Sequence, residues 1–145
     1  MAAERRASVT WEGDLLSGSG TIDEVGSGAF APLPVSWAAR SEEESGGTTS
    51  PEELIAAAHA SCIAMALSNG LAKAGTPPEQ LRTSAAVTFV PGTGITKIAL
   101  SVQGTVPGLG ADGFRAAAED AKANCPVSQA LAGVPEITLD AQLDA

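Results

Sequence analysis

The chain contains no tyrosine, a single histidine, two cysteines and only eight lysines and arginines in 145 residues. Each shortage narrows what the protein can do. Aromatics make up 3% of the sequence, namely Trp11, Trp37, Phe30, Phe89 and Phe114, so a base-stacking surface has few candidates. Against the eight basic residues stand 17 acidic ones, a net charge of −9, which repels phosphate backbones and anionic membranes alike. Nucleic acid is therefore not expected as a partner. One histidine and two distant cysteines fall short of the four ligands of a closed zinc site. Glycine runs in phosphate-loop or dinucleotide spacing are missing, and so is a GxSxG elbow.

Apolar residues are not scarce. At 44% they can build one core from Ala, Val, Leu and Ile, and the length fits a single domain over residues 1–145. No apolar stretch follows Arg5 and Arg6, so a secretory leader is not expected. Leu54 to Ala72 carries no Asp, Glu, Lys or Arg, a length that matches a bilayer span. Its alanines, with His59, Ser61, Ser68, Asn69 and Gly70, read better as a buried core helix. The expectation is a soluble chain, with no membrane contact, in the reducing cytoplasm.

Along the chain, Ser8–Glu12 and Gly20–Val25 read as strands, and Leu33–Arg40 as a third strand pushed to an edge by Pro32 and Pro34. Ser50, Pro51 and Glu53 form the capping signature of a helix that runs to about Lys73, where Gly75 and Pro77 end it. Leu81–Val90, a turn at Pro91–Gly94 and a return strand form a hairpin. Its second strand carries Ile98, Leu100 and Val102 on one face. Helices are expected over residues 111–123 and 126–131, and a closing strand over 136–143. The sum is an α+β unit.

The two cysteines are what remains for chemistry. Cys62 lies inside the long helix, where a small packed hydrophobe is an adequate reading. Cys125 precedes Pro126; if a helix starts there, its free N–H groups favour a thiolate. Spacing and composition leave a reactive pair and two inert thiols equally open.

The wording around the cysteines separates them. Thr49-Ser-Pro-Glu-Glu-Leu-Ile-Ala-Ala-Ala-His-Ala-Ser-Cys62 and Asn124-Cys-Pro-Val-Ser-Gln129 resemble the two cysteine motifs of the OsmC/Ohr family. Trp11-Glu-Gly-Asp14, Ile95–Leu100 and Glu136–Asp140 extend the likeness over the whole chain, in order. His59 fits the OsmC side, since Ohr-like sequences usually carry tyrosine there.

The resemblance implies an OsmC-like fold, with mostly antiparallel sheets around a long central buried helix in an intertwined homodimer. It implies a peroxidase that reduces organic hydroperoxides, and hydrogen peroxide less well, in oxidative or osmotic stress defence. Carried over, Cys62 is the peroxidatic thiol, Cys125 the resolving thiol, Arg40 the cation beside Cys62, and Glu52 the carboxylate that holds Arg40. Arg40 matches an arginine that ends the strand before the loop. No bound cofactor is implied; an external thiol, often a dihydrolipoyl group, restores the dithiol. Ile63 stands where relatives often have phenylalanine, which suggests an aliphatic pocket for the peroxide's organic part.

Glu52 precedes Cys62 by ten residues, roughly 15 Å along a straight helix, and no Pro or Gly intervenes. A continuous helix therefore directs Glu52 to the Cys62 of a second subunit, giving composite sites in a two-fold dimer. The competing reading is a dimeric module of the same fold that binds a small apolar ligand without peroxidase activity.

Overall fold

A stripe of four side chains on one long helix organises most of the core. The structure, a computed structural model, describes all 145 residues. In chain order the elements are β1 (Ala7–Glu12), β2 (Ser19–Val25), β3 (Leu33–Val35), α1 (Trp37–Ser41), α2 (Pro51–Lys73), β4 (Gln80–Val90), β5 (Gly94–Thr105), α3 (Ala111–Asn124), α4 (Pro126–Ala130) and β6 (Glu136–Leu143). The fold is α+β, with two small sheets and one long helix. It divides into two compact units, Met1–Glu52 and Glu53–Ala145.

The first unit holds an antiparallel sheet in the order β1-β2-β3. Gly20 belongs there because a Cβ would come within 2.6 Å of the Trp11 ring and 2.9 Å of Val35. The strand expected over Leu33–Arg40 is only partly present. It stops at Val35, and Ser36 turns the chain into a short helix by accepting a hydrogen bond from the Ala39 N–H at 3.2 Å. The Trp-Ala-Ala-Arg stretch after a serine cap suits a helical turn better than a strand. Arg40 therefore sits in the last turn of α1 rather than at a strand end.

The second unit holds the sheet β4-β5-β6. The β4–β5 hairpin is antiparallel, and β6 lies parallel to β5 after the α3–α4 crossover. Ile98, Leu100 and Val102 face one way, as their alternation requires, paired with Ile137, Leu139 and Ala141 of β6. On them pack Ile63, Leu67 and Leu71 of α2 and Phe114, Ala118 and Ala121 of α3. His59, Ile63, Leu67 and Leu71 recur every four residues and are all buried, so α2 offers the core a single stripe. Its opposite face is mostly small residues around an exposed Met65.

Phe114 is fully buried against Gly104 of β5, where a Cβ would approach the Phe114 ring to 2.9 Å and Leu81 to 2.8 Å. Gly104→Ala should therefore overpack the core by about 1–3 kcal/mol. The measurement is a urea titration, in which the midpoint should fall while the slope stays constant.

Candidate functional site

α2 and the α3–α4 junction bring the two cysteines together. Cys62 lies mid-way along α2, on the flank of its buried stripe. Cys125 occupies a single extended residue, φ −61° and ψ 124°, which ends α3 and starts α4. Its N–H donates to Ala121 O at 2.8 Å and its carbonyl accepts from Gln129 N at 3.0 Å, so both helices hold it. Pro126 supplies the first helical residue, where its missing N–H costs nothing. Cys125 is fully buried and Cys62 half-buried; both are free thiols, with sulfurs 2.6 Å apart. A disulfide needs about 2.05 Å, so oxidation asks for a small side-chain shift and no movement of the backbone elements.

The sulfurs are not equivalent. Burial opposes ionisation at Cys125, but a hydrogen bond with Cys62, the Ser128 N–H and hydroxyl, and the Val127 N–H outweigh it, and its pKa is lowered. Burial also acts on Cys62, and there the bond with Cys125 adds to it; the Val127 N–H offsets only part, and the pKa is raised. Two thiols this close titrate as a pair. The proton they share is better kept by Cys62, and the charge by Cys125.

His59 lies one helical turn before Cys62 and is fully buried. Its Nε2 is 2.7 Å from Ser128 Oγ, while Nδ1 is buried with no partner. Burial lowers the histidine's pKa and keeps the ring neutral. Neither His59 nor Ser128 figured among the site residues expected from sequence. The available signal was spacing, since each lies three residues from a cysteine in a helical segment.

In the first unit, Arg40 and Glu52 form a two-pronged ion pair. Arg40 Nε donates to Glu52 Oε1 at 3.0 Å and Nη2 to Oε2 at 2.8 Å. Glu52 is buried, and the Arg40 guanidinium lies over the Trp37 ring, 5.8 Å from its centroid. The hydrogen bond to Glu52, partly offset by burial, raises the arginine's pKa further, so it is a cation at every relevant pH. Beside it is a cavity of about 360 Å³, lined by Trp11, Leu15, Val35, Trp37 and Pro51. Both tryptophans of the chain line it. The four residues expected at the site thus fall into two pairs, Cys62 with Cys125 and Arg40 with Glu52.

Thiolate absorbance near 240 nm reads the first pair directly. The reduced protein should titrate in two separated steps, one below and one above the ordinary thiol value of about 8.5. Cys62→Ser should keep the lower step, because Cys125 retains its donors at Ser128 and Val127. A single step for both thiols at the ordinary value would contradict the coupling.

The family model described as OsmC-like protein matches residues 44–140. The chain is 44% identical over 146 aligned positions to Peroxiredoxin OsmC of Escherichia coli (strain K12), covering 99% of both chains. The same identity and coverage hold for Peroxiredoxin OsmC of Shigella flexneri. In fold it is similar to an OsmC-like protein from Mycoplasma pneumoniae, with a TM-score of 0.73 at 13% identity over 100% of each chain. It also resembles the organic hydroperoxide resistance protein OhrB of Bacillus subtilis, with a TM-score of 0.63 at 20% identity, covering 96% of this chain and 98% of that one. With the family model spanning more than half its length and a curated relative aligned end to end, the chain belongs to the OsmC-like family and is a cysteine-based peroxidase.

Proposed function

We propose that the protein reduces organic hydroperoxides to alcohols with Cys62 as attacking thiol and Cys125 as resolving thiol. One observation carries this reading: the two sulfurs lie 2.6 Å apart on separately anchored elements. Cys62 thiolate attacks the peroxide, its S–O bond forms as O–O breaks, and the alkoxide leaves as alcohol after taking a proton. Cys125 then displaces the sulfenic oxygen as water and closes the disulfide. An external dithiol of the dihydrolipoyl kind reopens it by exchange. Residues 1–145 act together as one OsmC-like domain in the cytoplasm, in defence against oxidative and osmotic stress.

Arg40 and Glu52 complete the site from the other subunit of a homodimer. Burial disfavours charge on Cys62, so its thiolate needs a cation. α2 is unbroken from Pro51 to Lys73, which keeps Glu52 roughly 15 Å from Cys62 along the axis. Two such helices packed antiparallel across a two-fold axis bring each Glu52 and its bound Arg40 to the opposite Cys62. The open face of α2 and its exposed Met65 supply apolar surface for that packing. The tryptophan-lined cavity beside Arg40 then receives the organic part of the peroxide.

A thiol count after one equivalent of cumene hydroperoxide tests the chemistry. Both thiols should disappear into one intramolecular disulfide and return with dihydrolipoamide; two persisting thiols with unspent peroxide would refute it. Mixed Glu52→Ala and Cys62→Ser subunits test the assembly. A composite site regains one intact site per heterodimer, whereas a site built within one chain regains none.

A further inference from the structure

Beside the two cysteines is a polar pair to which the proposed peroxidase cycle gives no task. Its members are His59 and Ser128, both buried in a unit whose core is otherwise aliphatic apart from Phe114. Ser128 Oγ contacts His59 Nε2 at 2.7 Å, and Ser128 is the third residue of α4, the position that faces the side chain of the Cys125 cap, where its N–H and hydroxyl favour the thiolate. Burying an imidazole whose Nδ1 has no partner is costly, and an aliphatic residue would fill the space without that cost. The one polar contact the ring makes is that of Nε2 with Ser128.

A serine hydroxyl has one hydrogen to give, so the direction of this contact is restricted. If Ser128 donates to His59, then Nδ1 carries the ring hydrogen and becomes a buried N–H without an acceptor. Cys125 also loses its hydroxyl donor. If Nε2–H donates to Ser128 instead, Nδ1 is a bare lone pair and the hydroxyl hydrogen is free to meet the sulfur. A thiolate acceptor makes that second bond charge-assisted, which is the stronger arrangement. The tautomer of His59 and the charge on Cys125 are thus linked.

We propose that His59 is a positioning residue whose Nε2–H fixes the Ser128 hydroxyl so that its hydrogen points at Cys125 Sγ, and Cys125 enters disulfide closure as a thiolate. The inference rests on the resolving role given to Cys125 above. In that step Cys125 sulfur supplies the electron pair of the new S–S bond and is oxidised. The sulfenic sulfur of Cys62 is reduced as its S–O bond breaks, and hydroxide leaves with that pair to become water on protonation. His59 neither gains nor loses a proton. The titratable groups facing the network are Cys62 on α2 and, on α3, Glu119 and Lys122, which line the same cavity of about 350 Å³ as Ser128. β6 contributes Ile137 to that cavity and no charge.

Because His59 is the only histidine, its ring nitrogens are directly readable by NMR after histidine-specific 15N labelling. The expected spectrum is a neutral ring with hydrogen on Nε2, unchanged at pH values near 6.5 where an ordinary histidine is half protonated. An Nδ1–H ring, or an imidazolium at neutral pH, would overturn the proposal. In a Cys62→Ser background, Ser128→Ala should slow iodoacetamide alkylation of Cys125 at neutral pH about tenfold and move its pH profile upward. His59→Leu should act similarly, and His59→Gln, which keeps an N–H near the Nε2 position, should restore most of the rate. A Ser128→Ala profile superimposable on its parent sinks the idea even where His59→Leu fails to fold. None of these measurements uses peroxide, so a failure of the resolving role would show in the thiol count and not here.

Discussion

The contact between the Cys62 and Cys125 sulfurs is the constraint that the packing of the second unit meets, because the two come from elements with no local reason to meet. Cys62 is placed by a 23-residue helix whose stripe of Ile63, Leu67 and Leu71 is keyed into β5 and α3. Cys125 is placed by the break between α3 and α4, and α3 is seated in turn by Phe114 over Gly104. The aliphatic core is thus a jig that holds two thiols at near-bonding distance. Its small side chains matter for that purpose: buried alanines at 118 and 121 let α3 lie close on the sheet, packed against β6.

Much of this was legible in the sequence because it rests on local rules. Ser50-Pro51 opens α2, Gly75 follows its end, and the alternation of Ile98, Leu100 and Val102 fixes the buried face of β5. Cys125 before Pro126 announced a cap, and the structure has one there. The failures have equally local causes. Leu33–Arg40 reads as a strand by composition, but Ser36 offers a capping oxygen that ends β3 and winds α1, which carries Arg40 on a helical turn. His59 and Ser128 were passed over because no periodicity marks a hydrogen bond between residues 69 positions apart. Such a bond is created by tertiary packing, and only the three-residue offsets from the cysteines hinted at it. Membership of the family was visible from whole motifs, a signal that operates above these single-residue rules.

The Arg40–Glu52 pair suits the proposed role of Arg40 as the cation beside a thiolate, because the carboxylate fixes where the guanidinium points. A free guanidinium on a five-residue helix would sample many rotamers, whereas the two-pronged bond to buried Glu52 and the Trp37 ring leave it one direction. Glu52 weakens the local positive potential, and the gain is orientation. The pair also keeps the arginine protonated well beyond the thiol range, so in the proposed peroxide step the pH dependence would follow sulfur ionisation and not loss of the cation.

The asymmetry of the thiols then suggests how a single negative charge serves both halves of the proposed cycle. Donors at Val127 and Ser128 draw the charge to Cys125; in the proposed dimer, the second subunit's arginine would draw it the other way. One proton between sulfurs 2.6 Å apart settles which of them is the nucleophile. With the charge on Cys62, peroxide attack releases an alkoxide, and the Cys125 thiol is the adjacent acid that can protonate it. Protonation leaves Cys125 as a thiolate facing a sulfenic acid, with its charge held by α4 and by the Ser128 hydroxyl. Closure follows without any further ionisation. A site that had to ionise each buried thiol separately would meet the desolvation cost twice. Sharing one proton meets it once, which gives a physical reason for burying the pair together and for surrounding only Cys125 with its own donors.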